Sequence, residues 1–136
     1  MVPRVPAVDV ELPGGPDAPA QAREAIRGGL APYLTEDERF ELELLVTELV
    51  TNAVRHGGMR DGGTVGVLLR VHDDLVRVEV RDDGPGFTPG RPAPRDLERG
   101  GGGLGLVLLD RYAAEWGVDV DDGARVWADI PRGGPT

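Results

Sequence analysis

The sequence predicts an α+β fold, in which helices cover one face of a mixed, mostly antiparallel sheet. The elements follow the order strand, helix, helix, strand, strand, helix, strand, which is typical of a helical layer over a sheet. The clearest strand pattern carries valines on one side and charged residues on the other, so only one face of the sheet is apolar. With 136 residues, the chain can form a single domain, residues 1–136, that buries about 68% of the surface of its unfolded chain.

The first half of the chain contains one strand and two helices. The segment "AVDVEL", Ala7–Leu12, alternates apolar and acidic residues before "PGGP", which predicts a short edge strand and a turn. A helix is predicted from about Pro19 to Leu34. Thr35 and Glu38 form a capping box, which predicts the start of a longer helix that ends at Gly57–Gly58.

The second half contains a hairpin, a long loop, a helix and a strand. "TVGVLLRVH" and "LVRVEVRDD" are predicted strands joined at Asp73–Asp74. The loop from about Gly84 to Gly103 is rich in Pro and Gly and longer than a simple connection, so it is a candidate lid. "LGLVLLDRYAAEW" is predicted to form a helix that stops at Gly117, and "ARVWADI" a last strand that ends at Pro131.

Composition excludes several classes of function. The 15 basic residues are outnumbered by 24 acidic ones and form no stripe, so we expect no direct nucleic acid partner. The absence of lysine, serine and cysteine excludes a P-loop, a Schiff base, a serine nucleophile and a thiolate metal site. No apolar run of about 18 residues and no export signal is present, so we expect a cytoplasmic protein with no membrane contact.

Three polar residues of the longer predicted helix, Glu48, Asn52 and His56, share one stripe at four-residue spacing. They border the apolar arc of that helix, and Asn52 and His56 turn into it. Burying a polar group without a partner costs about 1–3 kcal/mol, so the stripe predicts a polar ligand or an internal network. The alternative is a set of hydrogen-bonded border residues, with His56 placed favourably near the negative end of the helix dipole.

A carboxylate closes the strand in "VRVEVRDDGPGF" on the same side as the valines. Asp82 continues the parity of Val76, Val78 and Val80, so it is expected to point where the core points. Gly84 and Gly86 then allow a tight turn and close approach to a flat or charged group. The alternative interpretation is an ordinary turn at a strand end.

A glycine run opens the last predicted helix in "RGGGGLGLVLLD". Unpaired amides in a first helical turn, together with the helix dipole, form an anion site. Gly100, Gly102 and Gly105 also satisfy Gly-x-Gly-x-x-Gly, but a Pro-rich loop precedes them where a dinucleotide fingerprint needs a strand. The alternative interpretation is a flexible hinge.

The order of the three motifs resembles the N box and the two glycine boxes of the GHKL ATPases, the histidine-kinase-like superfamily with the Bergerat fold, a two-layer sandwich. The resemblance covers nearly the whole chain. It rests on Glu48-x-x-x-Asn52-Ala53, Asp82-x-Gly84-x-Gly86 and Gly101-x-Gly103-Leu104-Gly105. Within that superfamily, "ELVTNAVRHG", "GGGLGLVLLDRYA" and "VWADIP" are similar to stand-alone bacterial anti-sigma-factor serine/threonine kinases.

This resemblance implies ATP and Mg²⁺ as cofactors and gives each motif residue a role. Asn52 would hold Mg²⁺, Glu48 would be the base for an attacking hydroxyl or water, and Asp82 would accept from the adenine amino group. The backbone of the first glycine box would lie close to the adenine ring, at Gly84 and Gly86. The backbone of the second would lie close to the phosphates, at Gly101, Gly103, Leu104 and Gly105. Members often have a Thr on a late strand near the adenine, and "ARVWADI" contains none.

The resemblance further implies an ATP-dependent protein serine/threonine kinase that phosphorylates an antagonist protein and binds a sigma factor. Relatives of this kind commonly form homodimers. By similarity Arg23 belongs to a partner-binding surface, but an arginine on a solvated helix face is the favoured interpretation. The alternative is a non-catalytic or ATPase-only, nucleotide-dependent binding module. A histidine-kinase catalytic fragment is disfavoured because no dimerisation helix pair with a phosphorylated His is present.

Overall fold

The computed structural model describes residues 5–56, 63–82, 103–121 and 123–132. These ranges form five strands, β1 (Ala7–Pro13), β2 (Thr64–Val71), β3 (Leu75–Asp82), β4 (Glu115–Asp121) and β5 (Gly123–Pro131). They also form three α-helices, α1 (Ala18–Leu30), α2 (Glu36–His56) and α3 (Gly103–Tyr112), with a 3-10 turn at Ala31–Tyr33. The strand order is β1-β2-β3-β5-β4, and the four described pairings are antiparallel.

One face of the sheet is apolar and lies under the three helices. Its central row crosses four strands, with Val10 opposite Val67, Val67 opposite Val80, and Val80 opposite Val126. The helices add buried apolar side chains to the same cluster, among them Ile26, Leu30, Leu45, Val46, Leu108 and Leu109. The predicted α+β layer is therefore confirmed. Within the described ranges, no helix is long and apolar enough to cross a membrane.

The predicted capping box begins α2. The Thr35 amide donates to Glu38 Oε1 at 2.9 Å, and the Glu38 amide donates to Thr35 Oγ1 at 3.1 Å. A small cleft brings Leu42, in the first half of α2, beside Val76 at the start of β3. The first half of α2 therefore lies beside the start of β3.

Helix α1 ends at Leu30, four residues before the predicted end, and the chain continues into the 3-10 turn. Two glycines precede this end and have different surroundings. A β-carbon on Gly29 would lie 2.7 Å from Val8 Cγ2, whereas a β-carbon on Gly28 would meet nothing within 4 Å. Gly29 thus allows α1 to lie directly on β1, and Gly28 has no such constraint.

The predicted helix from Leu104 to Trp116 is wrong over its last four residues. Helix α3 ends at Tyr112, and Glu115–Asp121 forms β4, an edge strand that the sequence interpretation missed. Gly117 is opposite Trp127 in the register, and a β-carbon there would lie 2.9 Å from the indole ring. This glycine makes room for a tryptophan on the neighbouring strand and does not end a helix. The final strand, β5, is confirmed.

The other face of the sheet is polar, and the described helices lie on the opposite side. Arg77 donates to Asp129 at 3.1 Å, and its guanidinium lies 4.5 Å from the centre of the Trp127 ring. Arg125 contacts Glu79 at 3.5 Å and also forms an ion pair with Asp119. Charged side chains on neighbouring strands thus neutralise each other across this face.

Candidate functional site

The carboxamide of Asn52 is the most unusual polar group of the helical layer. Asn52 lies one turn before the end of α2 and is only 8% exposed. Its Oδ1 atom accepts no hydrogen bond from any residue in the described ranges. Burying such an oxygen without a partner costs about 1–3 kcal/mol of folding free energy, unless a ligand supplies the partner. An amide oxygen can accept from a donor or coordinate a hard cation.

Helix α3 brings a second motif against this carboxamide. A β-carbon on Gly105 would lie 3.1 Å from Asn52 Nδ2, 3.7 Å from Glu48 Cβ and 3.8 Å from Leu49 Cδ2. Glu48 is half-buried and lies one helical turn before Asn52. The structure therefore places the glutamate and asparagine of α2 together with a glycine that is more than fifty positions away in the sequence.

The positive end of α3 lies at the same place. The helix begins at Gly103, so Gly105 belongs to its first turn, where amide groups have no partner within the helix. These amides and the helix dipole favour an anion beside Asn52 and Glu48. Leu104, in the same first turn, is 49% exposed. An anion and a cation could therefore bind next to each other here.

Asp82 closes β3 on the helix-covered face. It is 3% exposed and shares the parity of the buried Val80, as its position in the strand predicts. Its neighbours in the register are Val65 on β2 and Ala124 on β5. Asn52 lies ten residues further along α2 than Leu42, and Asp82 lies at the opposite end of β3 from Val76. A buried carboxylate between an aliphatic and a small side chain suits the polar edge of a flat ligand.

The remaining predicted site residues are outside the part that the structure describes. Gly84, Gly86 and Gly101 belong to segments outside the described ranges, and so does the candidate lid as far as residue 102. His56 is the last residue of α2, but its side chain is not among those described. Gly103 is placed by its backbone alone, as the first residue of α3.

A polar network between α1 and α2 was not predicted from the sequence. Arg27 and Arg39 donate to the buried Glu43 carboxylate at 2.9 and 2.8 Å. Burial alone would raise the pKa of Glu43, but the hydrogen bonds from both arginines outweigh it and hold the pKa below its usual value. Only the four-residue spacing of Arg39 and Glu43 signalled part of this network.

Arg23, whose role the sequence left open, continues the same network. Its Nη1 donates to Thr47 Oγ1 at 2.9 Å, and that hydroxyl in turn donates to the Glu43 carbonyl at 2.7 Å. The side chain is therefore held at the α1–α2 junction. This position does not involve Asn52 or Glu48.

The chain is similar to known proteins of one domain family. A family model described as "Histidine kinase-like ATPase domain" matches residues 13–130. The chain is 33% identical over 89 residues to an "Anti-sigma F factor" of Geobacillus stearothermophilus, a match that covers 60% of each chain. It is 28% identical over 130 residues to "Serine-protein kinase RsbW" of Bacillus subtilis, which covers 88% of this chain and 81% of that one.

A solved structure is also similar. It is titled "Erythrobacter litoralis EL346 blue-light activated histidine kinase" and is 26% identical, with a TM-score of 0.59. The similarity covers 88% of this chain and 42% of that kinase. The chain also spans only 60% of the length of the anti-sigma F factor above. These comparisons show a shared domain.

Proposed function

The chain belongs to the histidine kinase-like ATPase domain family, and from this premise we propose that it is an ATP-binding regulator. Its reaction is the transfer of the γ-phosphoryl group of ATP to a serine or threonine of a small antagonist protein, and it also acts as an anti-sigma factor. The observation that carries this proposal is the buried Oδ1 of Asn52, which accepts no hydrogen bond from the described part of the chain and lies near Glu48 and the first turn of α3. The names of two relatives, an anti-sigma F factor and a serine-protein kinase, support the choice of partners.

The donor set at this position fits Mg²⁺. The ion prefers oxygen ligands and usually takes only one or two from the protein, the others coming from phosphates and water. Asn52 Oδ1 supplies one such oxygen, and the described residues hold no group of three His, Cys, Asp or Glu side chains that would form a protein-only cage. Bound there, Mg²⁺ would neutralise charge on the phosphate oxygens during transfer.

The nucleotide would contact both motifs, with its adenine at Asp82 and its phosphates at Asn52 and the first turn of α3. The buried Asp82 carboxylate would accept a hydrogen bond from the adenine amino group. The first-turn amides of α3 would donate to the phosphates, in a chain that has no lysine for that purpose. Gly84, Gly86 and Gly101 would add backbone contacts, as the family motifs imply.

Glu48 is the proposed general base. Its carboxylate would accept the proton of the attacking hydroxyl group while the hydroxyl oxygen forms a bond to the γ-phosphorus. The bond from that phosphorus to the β–γ bridging oxygen breaks, and ADP leaves. The position of Glu48 one turn from Asn52 separates the base from the metal ligand while keeping both on one stripe of α2.

Incubation with labelled ATP, Mg²⁺ and a candidate antagonist protein tests the proposal. We expect label on a serine or threonine of the antagonist, and tighter ATP binding with Mg²⁺ than with a chelator. Binding without transfer or hydrolysis would identify a non-catalytic module, and hydrolysis without transfer an ATPase-only module. A protein that binds no ATP would contradict the proposal altogether.

A further inference from the structure

We infer that Gly105 is a positioning residue. Because it has no side chain, the Asn52 carboxamide has room to adopt the orientation that presents Oδ1 to a divalent cation. This inference rests on the proposed function, since it assigns a role within the same site. It differs from the role that the family motif implies for Gly105, a backbone contact with the phosphates. The first observation is the distance of 3.1 Å from Asn52 Nδ2 to the position of a β-carbon at Gly105.

A β-carbon at position 105 would be close enough to change how the carboxamide lies. Carbon and nitrogen atoms without a hydrogen bond normally stay about 3.5 Å or more apart, so a methyl group at position 105 would push on the Asn52 amide nitrogen. The other neighbours of that methyl group, Glu48 Cβ at 3.7 Å and Leu49 Cδ2 at 3.8 Å, are at ordinary contact distances. The constraint at Gly105 therefore concerns Asn52 specifically.

The burial of Asn52 leaves it little room to avoid such a group. The residue is 8% exposed and lies on a helix that is anchored to the sheet by Leu45, Val46, Leu49 and Val50, each less than 5% exposed. A rotation of the carboxamide away from α3 would move Oδ1 together with Nδ2, because the two atoms belong to one planar group. Gly105 thus leaves the space in which Nδ2 lies when Oδ1 has this direction.

The chain offers a matched control in Gly28. Both glycines lie within helices, but a β-carbon on Gly28 would meet nothing within 4 Å. Replacing glycine by alanine inside a helix favours the helix by about 1 kcal/mol in either case. A difference between the two variants therefore reports the contact with Asn52 and not helix propensity.

The test is the affinity for ATP with Mg²⁺ and with a chelator, measured by calorimetry for the parent, Gly28→Ala and Gly105→Ala. We expect Gly105→Ala to lose about 10-fold or more of the affinity gained from Mg²⁺, the usual effect of disturbing a group that orients a metal ligand. Binding in chelator should change little. Gly28→Ala should behave as the parent in both conditions.

A double-mutant cycle with Asn52→Ala tests whether the effect passes through Asn52. Gly105→Ala should have no further effect on Mg²⁺-dependent binding once the carboxamide is absent. If Gly105→Ala alone fails to fold, Asn52→Ala/Gly105→Ala should fold, because the crowded atom has been removed. A double variant that still fails to fold would overturn the inference.

The outcomes separate this inference from the proposed function. If the parent binds ATP more tightly with Mg²⁺ and Gly105→Ala retains that full difference, the positioning role is wrong and the proposed function stands. If the parent gains nothing from Mg²⁺, the proposed site is wrong, and the inference falls with it.

Discussion

Arg132 and Glu38 are 94 residues apart in the chain and are joined by two hydrogen bonds of 3.2 Å, from Nε and Nη2 of the guanidinium to the two carboxylate oxygens. The same guanidinium donates to the carbonyl oxygens of His72 and Tyr33 at 2.8 Å. Arg132 therefore ties the end of β5 to the β2–β3 turn, to the 3-10 turn and to the capping box of α2.

Replacing Arg132 by Gln should destabilise the fold without reaching the candidate site. The change removes charge-assisted hydrogen bonds to a half-buried carboxylate, and we expect a loss of about 2–3 kcal/mol in the free energy of unfolding. Urea denaturation measures this loss in the free energy of unfolding. The exposed Arg70 provides a control, since Arg70→Gln should change stability by less than about 0.5 kcal/mol. Equal losses in the two variants would show that the four contacts of Arg132 contribute nothing specific.

Stability should fall in acid because two glutamates are held ionised in the folded protein. A hydrogen bond from Arg132 is the main cause that lowers the pKa of Glu38, whereas at Glu43 the two arginines overcome the opposing effect of burial on the pKa. A lowered folded pKa contributes stability that is complete above the unfolded value, about 4.3, and is lost as the pH falls through the folded value. Denaturation between about pH 6 and pH 3 should show this loss in the parent. Glu38→Gln/Glu43→Gln should be less stable at neutral pH and should depend less on pH below about 5; an unchanged slope would contradict the assignment.

The sequence predicted those features whose partners are close together in the chain. The capping box needs only Thr35 and Glu38, and the β2–β3 turn needs only the residues between two alternating patterns, so both were confirmed. The inward direction of Asp82 followed from strand parity alone. The resemblance to histidine-kinase-like ATPases is confirmed as well, by a family model that matches residues 13–130.

The features that the sequence did not predict depend on residues that meet only after folding. Gly117 was interpreted as a helix stop, but its reason is the ring of Trp127 on the adjacent strand. The contact between Gly105 and Asn52 joins two helices from opposite halves of the chain, and no local pattern signals it. The contacts of Arg132 likewise join segments that are distant in sequence.

Replacing Gly117 by Ala should destabilise β4. The new methyl group would lie 2.9 Å from Trp127, whose ring is itself held between this strand and the Arg77 guanidinium. Crowding of this kind costs about 1–3 kcal/mol, which exceeds the small gain from removing a glycine from a strand. Thermal unfolding compares this variant with Gly15→Ala, whose β-carbon would meet nothing within 4 Å. A variant as stable as the parent would show that the indole ring moves aside freely.

Replacing Asp82 by Asn should weaken ATP binding if the carboxylate accepts from the adenine amino group. The amide can turn a donor toward that amino group, and the mismatch should cost about 1–3 kcal/mol, or roughly 5- to 150-fold in affinity. Calorimetry with ATP and with GTP distinguishes this effect from general damage, because GTP presents a carbonyl oxygen where ATP presents the amino group. If Asp82→Asn binds ATP as tightly as the parent, the adenine lies elsewhere.

Replacing Glu48 by Gln should separate binding from chemistry. As a base, Glu48 acts in the transition state, whereas Asn52 contributes to binding Mg²⁺ and ATP in the ground state. We therefore expect Glu48→Gln to keep the ATP affinity of the parent and to lose about 10²–10⁴-fold in phosphoryl transfer, equivalent to roughly 3–5 kcal/mol in the barrier. Calorimetry and single-turnover transfer of labelled phosphate measure the two quantities.

Asn52→Ala is the comparison for this last prediction and should show the opposite pattern. We expect this variant to lose the ATP affinity that Mg²⁺ adds, a loss that occurs at the binding step, before phosphoryl transfer. The two residues are one helical turn apart and both lie beside Gly105, so a general disturbance of α2 would change both quantities in both variants. Opposite patterns can arise only from separate roles. If the parent transfers phosphate to no antagonist and Glu48→Gln alters neither ATP turnover nor partner release, Glu48 is a border residue of the core, and the chain is a nucleotide-dependent binding module.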